Sequence, residues 1–300
     1  MRRQRTSTFI SEKHIVLKRI EYIDLGRMDY GQCWDLQRSV FDAMLAAKRR
    51  GNREVAACGE GAAICGDKAQ RERGEGAAAC SGAFAVESCG EDTTACGDKA
   101  GTLFLVEHPP VYTLGKNGRI GNLLVGEERL HACGAEFYRT DRGGDITFHG
   151  EGQIVGYPIL DLERIGIGLR EYIAALEQSV IDTVAEYGIR AGRLAGASGV
   201  WLGDGAEFGN ETAERAADNG TLRKICAIGV RASRFITMHG FALNVSTDLR
   251  RFDVINPCGF TDKGATSMAR ELGCAPDMEE VKRKLAEHLS ENLNVKIYKN

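Results

Sequence analysis

The stretch 224-KICAIGVRASRFITMHGFALNV-245 decides the fold. It is rich in β-branched and apolar residues, and a polar link near Ser233 divides it into two long runs. That pattern predicts an antiparallel strand pair. Working outward, 14-HIVLKRIEYIDL-25 is β-branched and predicts a strand. The next segment, 30-YGQCWDLQRSVFDAMLAAKRR-50, carries Leu36, Val40 and Met44, with Phe41 and Leu45, at helical spacing. Two apolar runs in 102-TLFLVEHPPVYTLG-115 are broken by Pro109-Pro110, and 154-IVGYPILDL-162 supplies another strand. The segment 169-LREYIAALEQSVIDTVAEYG-188 places Tyr172, Leu176, Val180 and Val184 on one helical face and ends at Gly188. Asp277 and Glu280 form a capping-box pattern ahead of Val281, Leu285, Leu289 and Leu293, and 295-VKIY-298 predicts a final strand. Helices scattered among more numerous strands predict a single α+β (α/β mixed-sheet) domain over residues 1–300.

Two stretches stand apart. Residues 51–100 are rich in Gly, Ala, Glu and Cys, and they repeat themselves, 57-ACGEGAAICGDKA-69 against 88-SCGEDTTACGDKA-100. A segment with so little to bury cannot offset its own ordering entropy, so it is read as a disordered low-complexity insert. Five of the ten cysteines (Cys58, Cys65, Cys80, Cys89 and Cys96) fall inside it, without the Cys-x2-Cys pairs of zinc sites. Residues 203–220 form a second polar stretch, read as a loop.

Three hundred residues suffice to bury a core without disulfides or structural metal. A formal net charge of −3 offers no basic excess for nucleic acid or an anionic membrane surface. No run of eighteen apolar residues is present and the N-terminus lacks an apolar signal core, so the chain is expected to be cytoplasmic. The Walker, dinucleotide-binding and zinc-protease signatures are all missing.

What stands out chemically is 142-RGGDITFHGEGQ-153, with four glycines around Arg142 and His149. Glycines let a backbone approach a ligand and present its N–H groups, an arginine binds anions, and a histidine exchanges protons. A sharp turn holding a satisfied histidine fits the same residues. Cys258 sits between Pro257 and Gly259, which fix the chain before the sulfur and leave room after it, as a nucleophile requires. Cys33, Cys133, Cys226 and Cys274 are read as small core residues. Lys224 opens an apolar strand. It fits either a solvated strand-end cation or a partner that favours a thiolate.

The blocks 142-RGGDITFHGEGQIVGYPILDL-162, 224-KICAIGV-230 and 238-MHGFALNVSTDLRRFDVINPCG-259 resemble the octanoyltransferase family of lipoate biosynthesis. The resemblance extends to 107-EHPPVYTLGKNG-118 and 199-GVWL-202. It implies a fold like the catalytic domains of lipoate and biotin protein ligases. It also implies transfer of an octanoyl group from acyl carrier protein to a lysine of lipoyl domains, those of 2-oxoacid dehydrogenase complexes and the glycine cleavage H protein. On that resemblance Cys258 is the acyl-thioester nucleophile and Lys224 its activating partner. Arg142, Gly143, Gly144, Asp145, Ile146, Thr147, Phe148 and His149 line the acyl site, with Ala227, Ile228, Gly229, Gly240, Phe241 and Ala242. No cofactor or metal is implied, because a thioester is already activated. Glu151 stands where the family carries proline in its H-G-P-G-Q run. An ATP-dependent lipoate or biotin ligase on the same fold is the alternative; it gives Cys258 no purpose.

Overall fold

The computed structural model describes residues 17–59, 98–203, 222–256 and 264–299. The pair expected from the opening stretch is present: β9 (Arg223–Ser233) and β10 (Ile236–Asn244) are antiparallel, with Ser233 opposite Ile236. Only Arg234 and Phe235 separate them, and both have positive φ (50° and 65°). A two-residue link of that kind matches the right-handed twist of the strands it joins.

Around this hairpin a mixed sheet is assembled. Chain order gives β1 (Lys18–Arg27), α1 (Tyr30–Gly59), β2 (Lys99–Glu107), β3 (Val111–Leu114), α2 (Glu127–Ala132), β4 (Glu136–Arg139), β5 (Ile146–His149) and β6 (Gln153–Leu160). There follow α3 (Leu162–Ile165), α4 (Leu169–Ala185), β7 (Gly192–Leu194), β8 (Ala197–Leu202) and the hairpin. The described chain closes with β11 (Gly264–Ala265), α5 (Met268–Leu272), α6 (Met278–Asn292) and β12 (Val295–Lys299). The large sheet runs β12-β1-β2-β6-β10-β9-β8-β7, with β11 beside β9, and a small sheet runs β4-β3-β5. The described residues form one mixed-sheet domain, in the expected fold class. Pro109-Pro110 separates more than two strands of one sheet, since β2 and β3 belong to different sheets.

The central strands β6 and β10 are buried along their whole length and β2 along nearly all of it, because both faces of the sheet are covered. Alternation divides their side chains. Leu103 and Leu105 face Leu176, Val180 and Val184 of α4 and Val281, Leu285 and Leu289 of α6. Phe104 and Val106 face Phe41 of α1. Each such side chain, fully buried, contributes roughly 1.5–3 kcal/mol. The apolar stripes of the three long helices are therefore core, and Gly188 (φ 79°) follows α4 where the chain turns. Asp277 caps α6, its carboxylate accepting from the Glu280 N–H at 2.8 Å.

Two sequence boundaries shift. Residues 51–59 continue α1, and Lys99 and Ala100 begin β2; the remainder of the repeat-bearing stretch lies outside the described residues, as does 204–221. The stretch therefore interrupts the return leg of a β1-α1-β2 crossover between parallel strands. Cys33 and Cys226 are buried as expected, but Cys133 and Cys274 are exposed, because they follow the ends of α2 and α5 rather than facing a sheet. Among the described residues, no helix is long and apolar enough to cross a membrane.

Candidate active site

Where β9 and β10 pass the loop Asp141–Asp145, they enclose a cavity of about 600 Å³. The approach is close: a Cβ on Gly229 would stand 2.7 Å from the Gly143 carbonyl, and the Gly143 N–H donates to the Val230 carbonyl at 2.9 Å. Only glycine at 229 admits the loop at this distance. The cavity is lined by Arg142, Gly143, Gly144, Asp145, Ile146, Thr147 and His149 on one side and by Lys224, Ala227, Ile228 and Gly229 on the other. Gly240, Phe241 and Ala242 of β10 complete it.

Phe148 is the exception among the expected lining residues. Alternation along β5 turns it into the core of the small sheet, where its ring centroid lies 5.0 Å from Tyr112 and 5.6 Å from Phe252. Asp145 lines the cavity but is already committed. Its carboxylate accepts from the backbone N–H groups of Arg119 (3.1 Å) and Ile146 (2.8 Å) and from the Asn122 side chain. The Asn122 carbonyl in turn accepts from the Asn256 N–H at 2.8 Å, so Asp145 braces the entry of the chain to residue 257.

Arg142 is buried and spends its fork on the protein: Nη2 donates to the Thr113 carbonyl (2.6 Å) and hydroxyl (2.9 Å), and Nη1 to the Gly143 carbonyl (2.9 Å). It fixes the loop rather than reaching outward for an anion. His149 is held by Gln153 Oε1 at 2.9 Å and lies 3.4 Å from the Thr113 hydroxyl. Burial, reinforced by His108 and Arg142, pushes its pKa down to about 3, so it is neutral at neutral pH. His108 behaves alike: burial brings it to about 4, and it bridges the Met28 carbonyl and the Tyr157 hydroxyl, both at 2.8 Å.

On the opposite wall, Lys224 lies across from Trp201 in the β8–β9 ladder. Its ammonium sits 4.4 Å from the centroid of the indole ring. Next to it β11 returns from residue 264: Ala265 pairs with Lys224, and the Thr266 N–H donates to the Lys224 carbonyl at 2.9 Å. Cys258 lies outside the described residues, so its distance to Lys224 is not part of this geometry. Its flanks are both fixed, Asn256 by Asn122 and Gly264 by the Leu222 carbonyl at 3.0 Å, and Gly264 and Ala265 line the cavity. Cys226 stands on the same strand as Lys224, but burial pushes its thiol up to about 12 and it does not line the cavity.

Residues that sequence reasoning passed over also meet here. Tyr30, Gln153, Trp201 and His239 line the cavity. His239 is buried at a positive φ of 62° inside β10, with Nε2 2.7 Å from Asp141 Oδ1, and its Nδ1 has no hydrogen-bond partner among the described residues. Nothing in local spacing marks a strand residue for a left-handed backbone. Glu151 occupies an exposed turn, paired with Arg27, so the glutamate is accommodated at the surface.

Residues 81–290 match the family of lipoyl protein ligase A/B catalytic domains, and the chain belongs to that family. Two solved structures share the fold: a lipoate-protein ligase A bound with ATP (TM-score 0.51, 17% identity, 68% of this chain and 76% of that one), and an archaeal bipartite lipoate protein ligase from Thermoplasma acidophilum (TM-score 0.51, 15% identity, 68% and 75%). Among curated relatives, an octanoyltransferase of Flavobacterium johnsoniae is 43% identical over 274 residues, 91% of this chain and 96% of its own length. One from Bacteroides fragilis is 54% identical over 187 residues, 62% and 79%. Within the family this chain is an octanoyltransferase, an enzyme of lipoate biosynthesis.

Proposed function

We propose that the chain moves an octanoyl group from octanoyl-acyl carrier protein to a specific lysine of lipoyl domains, through a thioester on Cys258 with Lys224 as the activating base. The observation that carries this reading is Lys224 on the wall of the 600 Å³ cavity, beside the point where the chain returns from residues 257–263. Lys224 takes the proton of Cys258, and the thiolate adds to the thioester carbonyl. The carrier leaves as a thiolate and is reprotonated by Lys224. The acceptor amine then attacks the acyl-enzyme, its proton passes to Lys224, and the Cys258 thiolate is expelled as the amide forms. Apolar side chains of Ile228, Phe241 and Val155 suit an alkyl chain. Arg142 to Gly144, Asp145, Ile146, Thr147, His149, Ala227, Gly229, Gly240 and Ala242 shape the acyl site around it. The acceptors are the lipoyl domains of 2-oxoacid dehydrogenase complexes and the glycine cleavage H protein, met in the cytoplasm. Residues 60–97 take no part, and deleting them is expected to leave transfer intact.

Intact-protein mass spectrometry tests the reading. Octanoyl carrier protein alone, without ATP, is expected to add one octanoyl group to Cys258, and a lipoyl domain to discharge it. Persistent transfer by Cys258→Ala, or a requirement for ATP, would sink it.

A further inference from the structure

Lysine is long and flexible, and a strand-end lysine left to itself would sample solvent. Three features keep Lys224 at the cavity wall. Its stem crosses Gly199, where a Cβ, if the residue had one, would stand 3.5 Å from both Cδ and Cε. Gly199 has φ 114°, and its N–H donates at 3.0 Å to Oε1 of the buried Glu177, which also pairs with Arg193 at 3.0 Å. The ammonium then meets the face of Trp201, 4.4 Å from the ring centroid. The indole is itself fixed, being buried and donating from Nε1 to the Ala197 carbonyl at 3.1 Å.

We propose that Trp201 is a positioning residue for the transfer reaction: its indole face, with Gly199 beneath, holds the Lys224 ammonium at the cavity wall. This rests on the reading of Lys224 as the base. A cation over an indole is attracted by the negative ring face, more strongly when both are withdrawn from water. The attraction is for the charge, so it strengthens as the amine takes up a proton and favours that uptake from Cys258. Held there, the amine starts each proton transfer near its reacting position instead of searching for it.

Lysine ε-carbons labelled with carbon-13 provide a readout independent of turnover, with the Lys224 signal assigned by its loss in Lys224→Arg. In the native chain the Lys224 ε-protons are expected upfield, displaced by the ring current of Trp201. In Trp201→Leu they are expected at the ordinary lysine position, and in Trp201→Phe between the two. Octanoyl transfer should follow: Trp201→Leu lowers kcat roughly 2- to 30-fold, the range for a lost cation–π contact, with KM for the donor unchanged. Trp201→Phe recovers part of that loss, and it serves as the test where the leucine variant does not fold. An unshifted Lys224 signal in the native chain, or native kcat in both variants, overturns the proposal. Native transfer by Lys224→Met overturns the base assignment and this role with it. Loss of transfer in Lys224→Met together with an unshifted native signal overturns the cradle alone.

Discussion

On the wall formed by Arg142–His149, the side chains that look most reactive are bound to the protein itself: the guanidinium to Thr113 and Gly143, the carboxylate of Asp145 to two N–H groups and Asn122, the imidazole of His149 to Gln153. On the wall formed by β8 and β9, the ammonium of Lys224 rests against an aromatic face. The two walls teach a division of labour. Groups with committed hydrogen bonds define shape and exclude water, because using one for chemistry would break a buried network. The aromatic face attracts the Lys224 charge, so it keeps the amine at the cavity wall and favours its uptake of a proton.

Replacing the reactive group of the second wall gives the largest effect. Lys224→Met should lower kcat by about 10²- to 10⁴-fold, the usual worth of a general base, with the thermal midpoint nearly unchanged; a small loss of rate would break the comparison. Gly199→Ala attacks the support beneath it. The added methyl at φ 114° would lie 2.5 Å from the Cys226 carbonyl, so a loss of about 3 kcal/mol or more is expected in denaturant unfolding. On the first wall, Arg142→Lys keeps the charge but not the fork. It should cost about 2 kcal/mol of stability, and calorimetry would register it as a lower midpoint.

Acid gives the smallest and most gradual effect. His149 and His108 titrate at about 3 and about 4 in the fold, against roughly 6.5 in the unfolded chain. Between these values the unfolded chain binds more protons, so falling pH favours unfolding. Their contribution is complete above about pH 6.5 and is lost progressively toward pH 4, at up to about 1.4 kcal/mol per pH unit for each histidine. Urea midpoints measured across this range in His149→Gln should show a shallower slope than in the native chain. An unchanged slope would mean that this wall is not dry.

Much of the architecture was legible because periodicity reports burial. The β9–β10 pair, α1, α4 and α6 all declared themselves through apolar spacing, and Asp277 through its cap. The small sheet did not, since its strands are four residues long and carry no clear period. Nor did the pairing of β1 with β12, which joins Lys18 to Val295 and leaves no local trace. In the site, Lys224 and the glycine-rich loop were visible as motifs, yet their meaning came from family resemblance. Spacing could not say that Arg142 turns inward, that Phe148 faces the other core, or that Trp201 lies over Lys224. Each depends on which strand lies alongside, and that is a tertiary fact.

The β1–β12 register also bears on how the chain reaches its fold. As synthesis proceeds, β1 has its partner β2 on one side long before β12 exists, so its other edge waits unpaired until α6 and the last strand emerge. Closing a contact between residues so distant in sequence is slow, and an open strand edge invites association with other chains. Folding yield from dilute denaturant should therefore fall as protein concentration rises, and truncation before Val295 should increase aggregation far more than it disturbs the distant cavity.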